Sequence, residues 1–189
     1  DYIGAKKYAR QASIHWKNLR KTADPDGQPD LTITPQGYLR FAYSFRLLED
    51  EDQEFAILRE GALAHPSSIA NQLAYAQRLA DKHLVGLSWD DPEERRILAD
   101  ILIGDPGNET AVQLLYRRFA GGDELATQMA QQLLASPRAN AQLCKSIGDM
   151  YLTTNQFEPA RRAYELACEK DDQSAYAWNN LAWIFSNQE

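Results

Sequence analysis

The chain is poor in the residues that build reactive or metal-binding sites. Its 189 residues include two cysteines and three histidines, and neither type recurs at the spacing of a metal site or a catalytic nucleophile. The glycine-rich fingerprints of nucleotide-binding loops are also missing. These absences predict a protein that is not an enzyme and holds no metal and no cofactor.

Long apolar runs and an excess of positive charge are missing as well. No stretch approaches the roughly 18 apolar residues of a membrane-spanning helix, so no membrane insertion is expected. The formal net charge is −7, and basic pairs such as Arg117-Arg118 are scattered among acids, so no nucleic-acid partner is expected. The first residues lack a targeting signal, which leaves a cytoplasmic and a periplasmic location equally open.

A repeated pattern is the most informative feature that is present. Residues 141–174 form one unit of 34 residues, and the pattern starts again at Ala175. Looser copies cover 109–140, 69–108 and 35–68, and in all of them apolar residues recur at i, i+3, i+4 and i+7, the period of a helix. The defining positions are Cys144, Ile147, Gly148, Tyr151, Ala160, Tyr164 and Ala167 in one copy, Trp178, Leu181, Ala182 and Phe185 in the next, and Val112, Leu115, Tyr116 and Phe119 in the copy before.

This spacing resembles the tetratricopeptide repeat (TPR) family, whose pattern is W-x2-L-G-x2-Y, then A-x3-F, then P. Within 141–174, Gly148, Tyr151 and Ala160 match the pattern, Tyr164 replaces the phenylalanine, and the tryptophan and proline are absent. The resemblance implies an all-α, right-handed superhelical TPR-type solenoid of antiparallel helix pairs, in which each pair is completed by its neighbours.

The resemblance also divides the chain. We expect a long helix from about Tyr2 to about Thr22, as a half repeat or a cap. Because the pattern begins and ends inside repeats, the sequence predicts a segment of a longer array, with a natural, capped end as the alternative. The expected parts are 1–34 (long helix and loop), 35–68 (repeat), 69–108 (repeat with a loop insertion), 109–140 (short repeat), 141–174 (repeat) and 175–189 (first helix of a further repeat).

Local signals mark the ends of several helices. Residues 91–94, Asp-Pro-Glu-Glu, predict an N-cap, a proline in the first turn and two helix-end acids. Asn155 is expected in a left-handed conformation after a helix, and Pro159 is expected in the first turn of the next helix. By the resemblance, Gly148 and Ala160 face each other where two helices cross closely.

The candidate binding surface also comes from the resemblance. In TPR proteins the first helix of each pair lines a concave groove, so the implied function is a non-catalytic protein–protein interaction scaffold for a partner peptide or helix. Amide side chains there bond a peptide backbone, cations meet carboxylates, and rings cover apolar side chains. The partner-binding residues so assigned are Tyr43, Arg46, Gln77, Gln113, Arg117, Lys145, Asp149, Asn179 and Trp183.

Other functions compete with this one. The segment could serve as a structural spacer or oligomerisation segment of a longer repeat protein, with end-to-end self-association, or as a regulatory module attached to an enzyme or sensor domain. Lys145 and Asn180 resemble part of a clamp for a C-terminal carboxylate, but Asp149 stands where that clamp needs an amide.

Three further features favour structural roles. The loop 24–30 has the aspartates of a calcium site, but no glutamate stands at its twelfth position, and a tight turn explains its composition. The apolar insertion 81–90 is expected to fold back on its own helices rather than dock a partner. Cys144 and Cys168 are expected to be small buried hydrophobic residues.

Overall fold

The computed structural model describes residues 2–22, 32–83 and 92–187. Those residues form ten α-helices and no strand, which confirms the all-α class. Two features named above, the loop 24–30 and most of the insertion 81–90, lie outside the described residues. The helices are α1 (Tyr2–Thr22), α2 (Pro35–Leu47), α3 (Glu51–Ala64), α4 (Ile69–His83), α5 (Pro92–Gly104), α6 (Glu109–Ala120), α7 (Glu124–Ala135), α8 (Ala141–Thr153), α9 (Phe157–Lys170) and α10 (Ala175–Asn187).

The chain divides into two compact units, Asp1–Leu79 and Ala80–Glu189. In the first unit, α1 packs on α2 and α2 packs on α3. Its core is aromatic: the Trp16 ring meets the Tyr38 ring edge-on, with centroids 5.8 Å apart, and Tyr38 is fully buried. Rings in this edge-to-face arrangement add to the stabilisation that comes from burying their area.

In the second unit, each helix from α5 to α10 packs on the next one, and alternate helices also meet, α5 with α7 and α6 with α8. The buried side chains come from the apolar face of every helix, so the core runs from one helix to the next. The fully buried side chains of largest volume here are Ile97, Leu98, Leu102, Leu115, Leu143, Ile147, Tyr151 and Tyr164.

Polar side chains fix where many of the helices begin. Thr34 accepts a hydrogen bond from the Gly37 amide at 3.1 Å, and Asn140 accepts one from the Leu143 amide at 2.9 Å. Asp50, Asn108 and Asp123 cap α3, α6 and α7 in the same way. Each cap satisfies an amide that has no partner within its own helix. The Asp91 cap expected for α5 lies outside the described residues.

Among the described helices, three are followed by a left-handed residue. Asn155 has φ of 58°, as predicted, and Glu49 and Gly122 have φ of 60° and 77° after α2 and α6. At each end two amides bond back into the last turn, as when Gln156 N donates to Tyr151 O at 2.8 Å and Asn155 N donates to Leu152 O at 3.0 Å. This is the Schellman arrangement, which satisfies carbonyls that the helix leaves open.

Glycine allows close approach in two helix pairs. A Cβ on Gly148 in α8 would lie 2.7 Å from Cε1 of Tyr164 in α9. A Cβ on Gly61 in α3 would lie 2.7 Å from Cβ of Tyr38 in α2. The crossing at Gly148 is therefore close, as predicted, but the group that a Cβ there would meet is the Tyr164 ring and not Ala160. Ala160 is fully buried.

Burial corrects one interpretation and confirms another. Glu94 was expected to be a helix-end charge, but its side chain is fully buried, with Oε2 3.6 Å from Nη2 of the buried Arg118. Arg118 also donates to the Ala80 carbonyl at 3.3 Å, so one cation links α4, α5 and α6. Cys144 and Cys168 are both free and buried, as predicted, and burial raises the pKa of each thiol.

Candidate partner-binding surface

In the first unit the predicted surface residues are Tyr43 and Arg46 on α2 and Gln77 on α4. All three are exposed. The Arg46 side chain also has a partner in its own unit, because its Nε donates to Oε1 of the buried Glu54 at 2.7 Å. Arg78 approaches the other Glu54 oxygen at 3.5 Å. Arg46 is therefore a weaker candidate for a partner's carboxylate than its sequence position indicates.

In the second unit the predicted surface starts on α6 with Gln113 and Arg117, which are both exposed. Nη2 of Arg117 lies 3.9 Å from Oδ1 of Asp81, near the limit of an ion pair. An exposed pair of this kind contributes little to stability. The Arg117 guanidinium therefore remains accessible to an anion on a partner.

Tyr116, also on α6, belongs to the apolar pattern of its repeat but is not buried. Its side chain is 38% exposed, whereas the neighbouring helix positions Leu115 and Phe119 are buried. The repeat pattern places Tyr116 at the close-packed position that Gly148 occupies in α8. A tyrosine is too large to fit between two helices there, so its ring stays at the surface.

Asp149 on α8 is the best-defined polar group of this surface. The Tyr164 hydroxyl donates to its Oδ1 at 2.6 Å, and the Tyr176 hydroxyl donates to the same oxygen at 2.9 Å. One carboxylate oxygen thus links α8, α9 and α10. Burial, and then the hydrogen bond to the carboxylate, raise the pKa of both tyrosines, so both remain donors at neutral pH.

A hollow lies between α6 and α8 beside this carboxylate. Its volume is about 140 Å³, and it is lined by Val112, Tyr116, Ser146, Asp149, Met150 and Thr153. Among these lining residues Asp149 carries the charge and Tyr116 supplies the ring. Ligand pockets for whole small molecules usually measure about 300 Å³ or more, so this hollow suits a single side chain.

The predicted surface continues on α10. Asn179 is exposed, and Trp183 packs its half-exposed ring 6.0 Å from the ring of Phe157, measured between centroids. Lys145 on α8 is half-buried, one turn before Asp149. The structure therefore places six of the predicted residues on α6, α8 and α10 of one unit: Gln113, Arg117, Lys145, Asp149, Asn179 and Trp183. Tyr43, Arg46 and Gln77 belong to the other unit.

Two residues of this surface, Tyr116 and Tyr176, were not predicted from the sequence. Tyr116 was counted only as a position of the apolar repeat pattern. Tyr176 was not named, although it stands at the second position of the last sequence repeat, a position that faces the groove in the TPR family. The hydrogen bond between Tyr176 and Asp149 spans 27 residues along the chain, and no local pattern encodes a pairing of that kind.

Larger hollows lie away from the predicted residues. One of about 440 Å³ lies between α1 and α3 and is lined by Trp16, Lys17, Arg20 and Glu60, among others. Nη1 of Arg20 donates to Oε1 of Glu60 at 2.9 Å, so the main charges there satisfy each other. This hollow makes a weaker case for a charged ligand than the one beside Asp149.

Within the described ranges, no three His, Cys, Asp or Glu side chains are grouped as a metal site would require. None of the described helices combines the length and the apolar character that crossing a bilayer demands.

A comparison of the sequence with models of known protein families finds no match. A comparison with curated proteins finds no match either.

Proposed function

We propose that the chain is a TPR-type solenoid of antiparallel helix pairs. Support comes from the periodic helix starts, because α2, α4, α6, α8 and α10 begin at Pro35, Ile69, Glu109, Ala141 and Ala175, where the sequence pattern begins its units. Within the second unit, the contacts of α5 with α7 and of α6 with α8 also support stacking of successive pairs. The left-handed residues 49, 122 and 155 all follow the first helix of a pair.

The function proposed for this solenoid is a non-catalytic scaffold that binds an extended peptide or a helix of a partner protein. One observation carries it: α6 packs on α8, and the hydroxyl of Tyr176 on α10 donates to Asp149 on α8. Three successive first helices are thus connected and together present exposed polar and aromatic side chains. We call this the first-helix surface and define it by Gln113, Tyr116, Arg117, Lys145, Asp149, Tyr176, Asn179 and Trp183.

The chemistry of the first-helix surface suits a peptide. Gln113 and Asn179 each offer an amide that can both donate to and accept from a peptide backbone. Trp183 and Tyr116 offer partly exposed rings for apolar side chains. Because stacked helices hold these groups in place before binding, little ordering entropy opposes association.

The test is a pull-down from source lysate with mass-spectrometric identification. One bait is the unchanged chain and a second carries Arg117→Glu with Lys145→Glu. A third carries Arg138→Glu with Lys170→Glu, two exposed cations away from the first-helix surface. Circular dichroism must first show that all three fold. The proposal predicts a protein that the first and third baits retain and the second loses. Identical retention by all three would contradict it.

A second candidate is end-to-end self-association, and the exposed face of α10 favours it. Trp178 and Phe185 are 52% and 53% exposed. Their counterparts 34 residues earlier, Cys144 and Tyr151, are buried in the α8–α9 pair. Exposed apolar rings on one helix face promote association. Sedimentation velocity over a hundredfold range of concentration tests this: a rising mass that Trp178→Gln with Phe185→Gln abolishes supports it, and a constant monomer mass contradicts it.

A further inference from the structure

The Asp149 carboxylate has one oxygen engaged and one available. Both tyrosine hydroxyls donate to Oδ1. An ionised carboxylate offers about four acceptor positions, shared by its two oxygens. Within the described part of the chain, Oδ2 accepts no hydrogen bond and neither oxygen forms an ion pair. The side chain therefore has acceptor capacity that its own protein leaves open.

The neighbouring cations do not close this site. Lys145 precedes Asp149 by one helical turn, and Arg117 lies on the adjacent helix, yet the structure pairs neither of them with Asp149. Arg117 instead approaches Asp81 at 3.9 Å. Oδ1 meanwhile accepts hydrogen bonds from donors on two other helices, which hold the carboxylate in place. Its position is set before any ligand arrives.

The hollow beside Asp149 has the volume and the lining for a long cationic side chain. Its volume of about 140 Å³ equals roughly four to five water molecules, taking about 30 Å³ for each. Val112, Met150 and the Tyr116 ring supply an apolar wall for methylene groups, and a cation near the ring face gains from its quadrupole. The carboxylate then supplies the counter-charge.

From this arrangement we infer that the hollow between α6 and α8 is a subsite for a lysine or arginine side chain of the bound peptide. The inference rests on the proposed function and narrows its partner to a peptide with a basic residue at one fixed position. That preference is opposite to the one that Lys145 and Asn180 would give a carboxylate clamp.

The probe is a set of synthetic peptide libraries, each with one fixed central residue in otherwise mixed positions. The fixed residue is lysine, arginine, acetyl-lysine, norleucine or glutamate. Acetyl-lysine and norleucine keep the length of the chain and remove the charge. Binding to the immobilised full chain is measured in low and in high salt, because an ion pair weakens as salt screens it.

Four variants of the protein accompany the unchanged chain. Asp149→Asn keeps the size of the side chain and an oxygen for the two tyrosines. Glu169→Gln is its matched control, since it removes one exposed charge from α9, outside the hollow. Tyr116→Ala removes the aromatic ring from the wall of the hollow, and Tyr116→Phe keeps that ring. The Tyr116 variants leave the bonds at Asp149 untouched, so they serve if Asp149→Asn folds poorly.

We expect the lysine and arginine libraries to bind the unchanged chain up to about fivefold more tightly than their neutral counterparts, the scale of one exposed ion pair. Asp149→Asn and Tyr116→Ala should remove that preference, and Glu169→Gln and Tyr116→Phe should keep it. Binding without a cationic preference, or a preference that survives Asp149→Asn and Tyr116→Ala, overturns the subsite and leaves the scaffold standing. No binding by any library overturns both.

Discussion

The helix pairs α2–α3 and α8–α9 both pack a large residue against a small one, but the two residues are exchanged between the helices. Each buries a tyrosine against a glycine of the facing helix, but Tyr38 lies on the first helix of its pair and Tyr164 on the second. Each hydroxyl donates to a carboxylate, Tyr38 to Glu60 at 3.2 Å and Tyr164 to Asp149 at 2.6 Å. The packing depends on the pairing of a large and a small residue, whichever helix carries which.

The two carboxylates differ in their other partners. Glu60 accepts from Nη1 of Arg20 at 2.9 Å, so a cation of the same unit balances it. Asp149 accepts from the neutral Tyr176 hydroxyl, and none of the described cations forms an ion pair with it. The hydroxyl of Tyr38 therefore donates to a carboxylate that is already in an ion pair, whereas the hydroxyl of Tyr164 donates to one that a partner can still use as an acceptor.

The largest predicted effect comes from adding a side chain at Gly61 or at Gly148. Gly61→Ala and Gly148→Ala should each lower the free energy of unfolding by about 1–2 kcal/mol, and the leucine variants by up to about 3 kcal/mol, because the Cβ meets a buried ring. Alanine normally stabilises a helix interior relative to glycine, so the sign itself is informative.

Gly104→Ala is the matched control, since a Cβ there meets nothing within 4 Å. Urea unfolding followed by circular dichroism measures all of these variants. If Gly148→Ala proved as stable as the unchanged chain, the close crossing of α8 and α9 would be wrong.

A smaller effect separates Asp149 from an ordinary surface acid. Asp149→Ala should lower the free energy of unfolding by about 1.5–2 kcal/mol, because two tyrosine hydroxyls lose a charged acceptor. Asp149→Asn, which keeps an acceptor, should cost less than half of that. The same urea titrations apply, with Glu169→Ala as the exposed reference. Equal effects at residues 149 and 169 would contradict the three-helix link.

Alkaline pH should weaken the same link. The pKa of Tyr164 and of Tyr176 is raised above the ordinary value of 10.0, so the folded state holds the phenolic protons more tightly than the unfolded state. The stability that the two protonated hydroxyls contribute is fully present below pH 10 and is lost as the pH rises further. The melting temperature should therefore fall less steeply with rising pH above 10 for Tyr164→Phe and Tyr176→Phe than for the unchanged chain. Parallel curves would rule out the effect.

The smallest predicted effect lies at the left-handed helix ends. Asn155→Gly should raise the free energy of unfolding by about 0.5–1 kcal/mol, because glycine adopts positive φ without a steric penalty. Glu49→Gly should gain less, since it also removes the exposed pair with Nζ of Lys6 at 3.1 Å. Gly122→Ala should destabilise by about 1 kcal/mol. A loss of stability in Asn155→Gly, read from a thermal melt, would be the contrary result.

The sequence alone was sufficient for the local features of this fold. Helical period, caps and turn residues are encoded by neighbours in the chain, which is why the left-handed Asn155 and the first-turn Pro159 were predicted correctly. The same local signal misjudged Tyr116 and Glu94, because periodicity cannot report whether a facing helix leaves room for a ring or supplies a buried cation.

The candidate site was predictable in outline and not in detail. The resemblance placed the candidate residues on first helices, where most of their side chains are exposed or half-buried. It could not show that Arg46 is held by Glu54 or that Asp149 is held by Tyr176. Such pairings depend on distances between helices, which the order of residues along the chain does not state.

The central claim is that the first-helix surface binds a protein, and site-specific photo-crosslinking tests it most directly. A benzophenone amino acid would replace Tyr116 on α6 or, as the control, the exposed Gln128 on α7. After irradiation in source lysate, we predict a discrete crosslinked protein at position 116, competed away by excess unlabelled chain and absent at position 128. No competed crosslink at 116, or the same product at both positions, would contradict the claim.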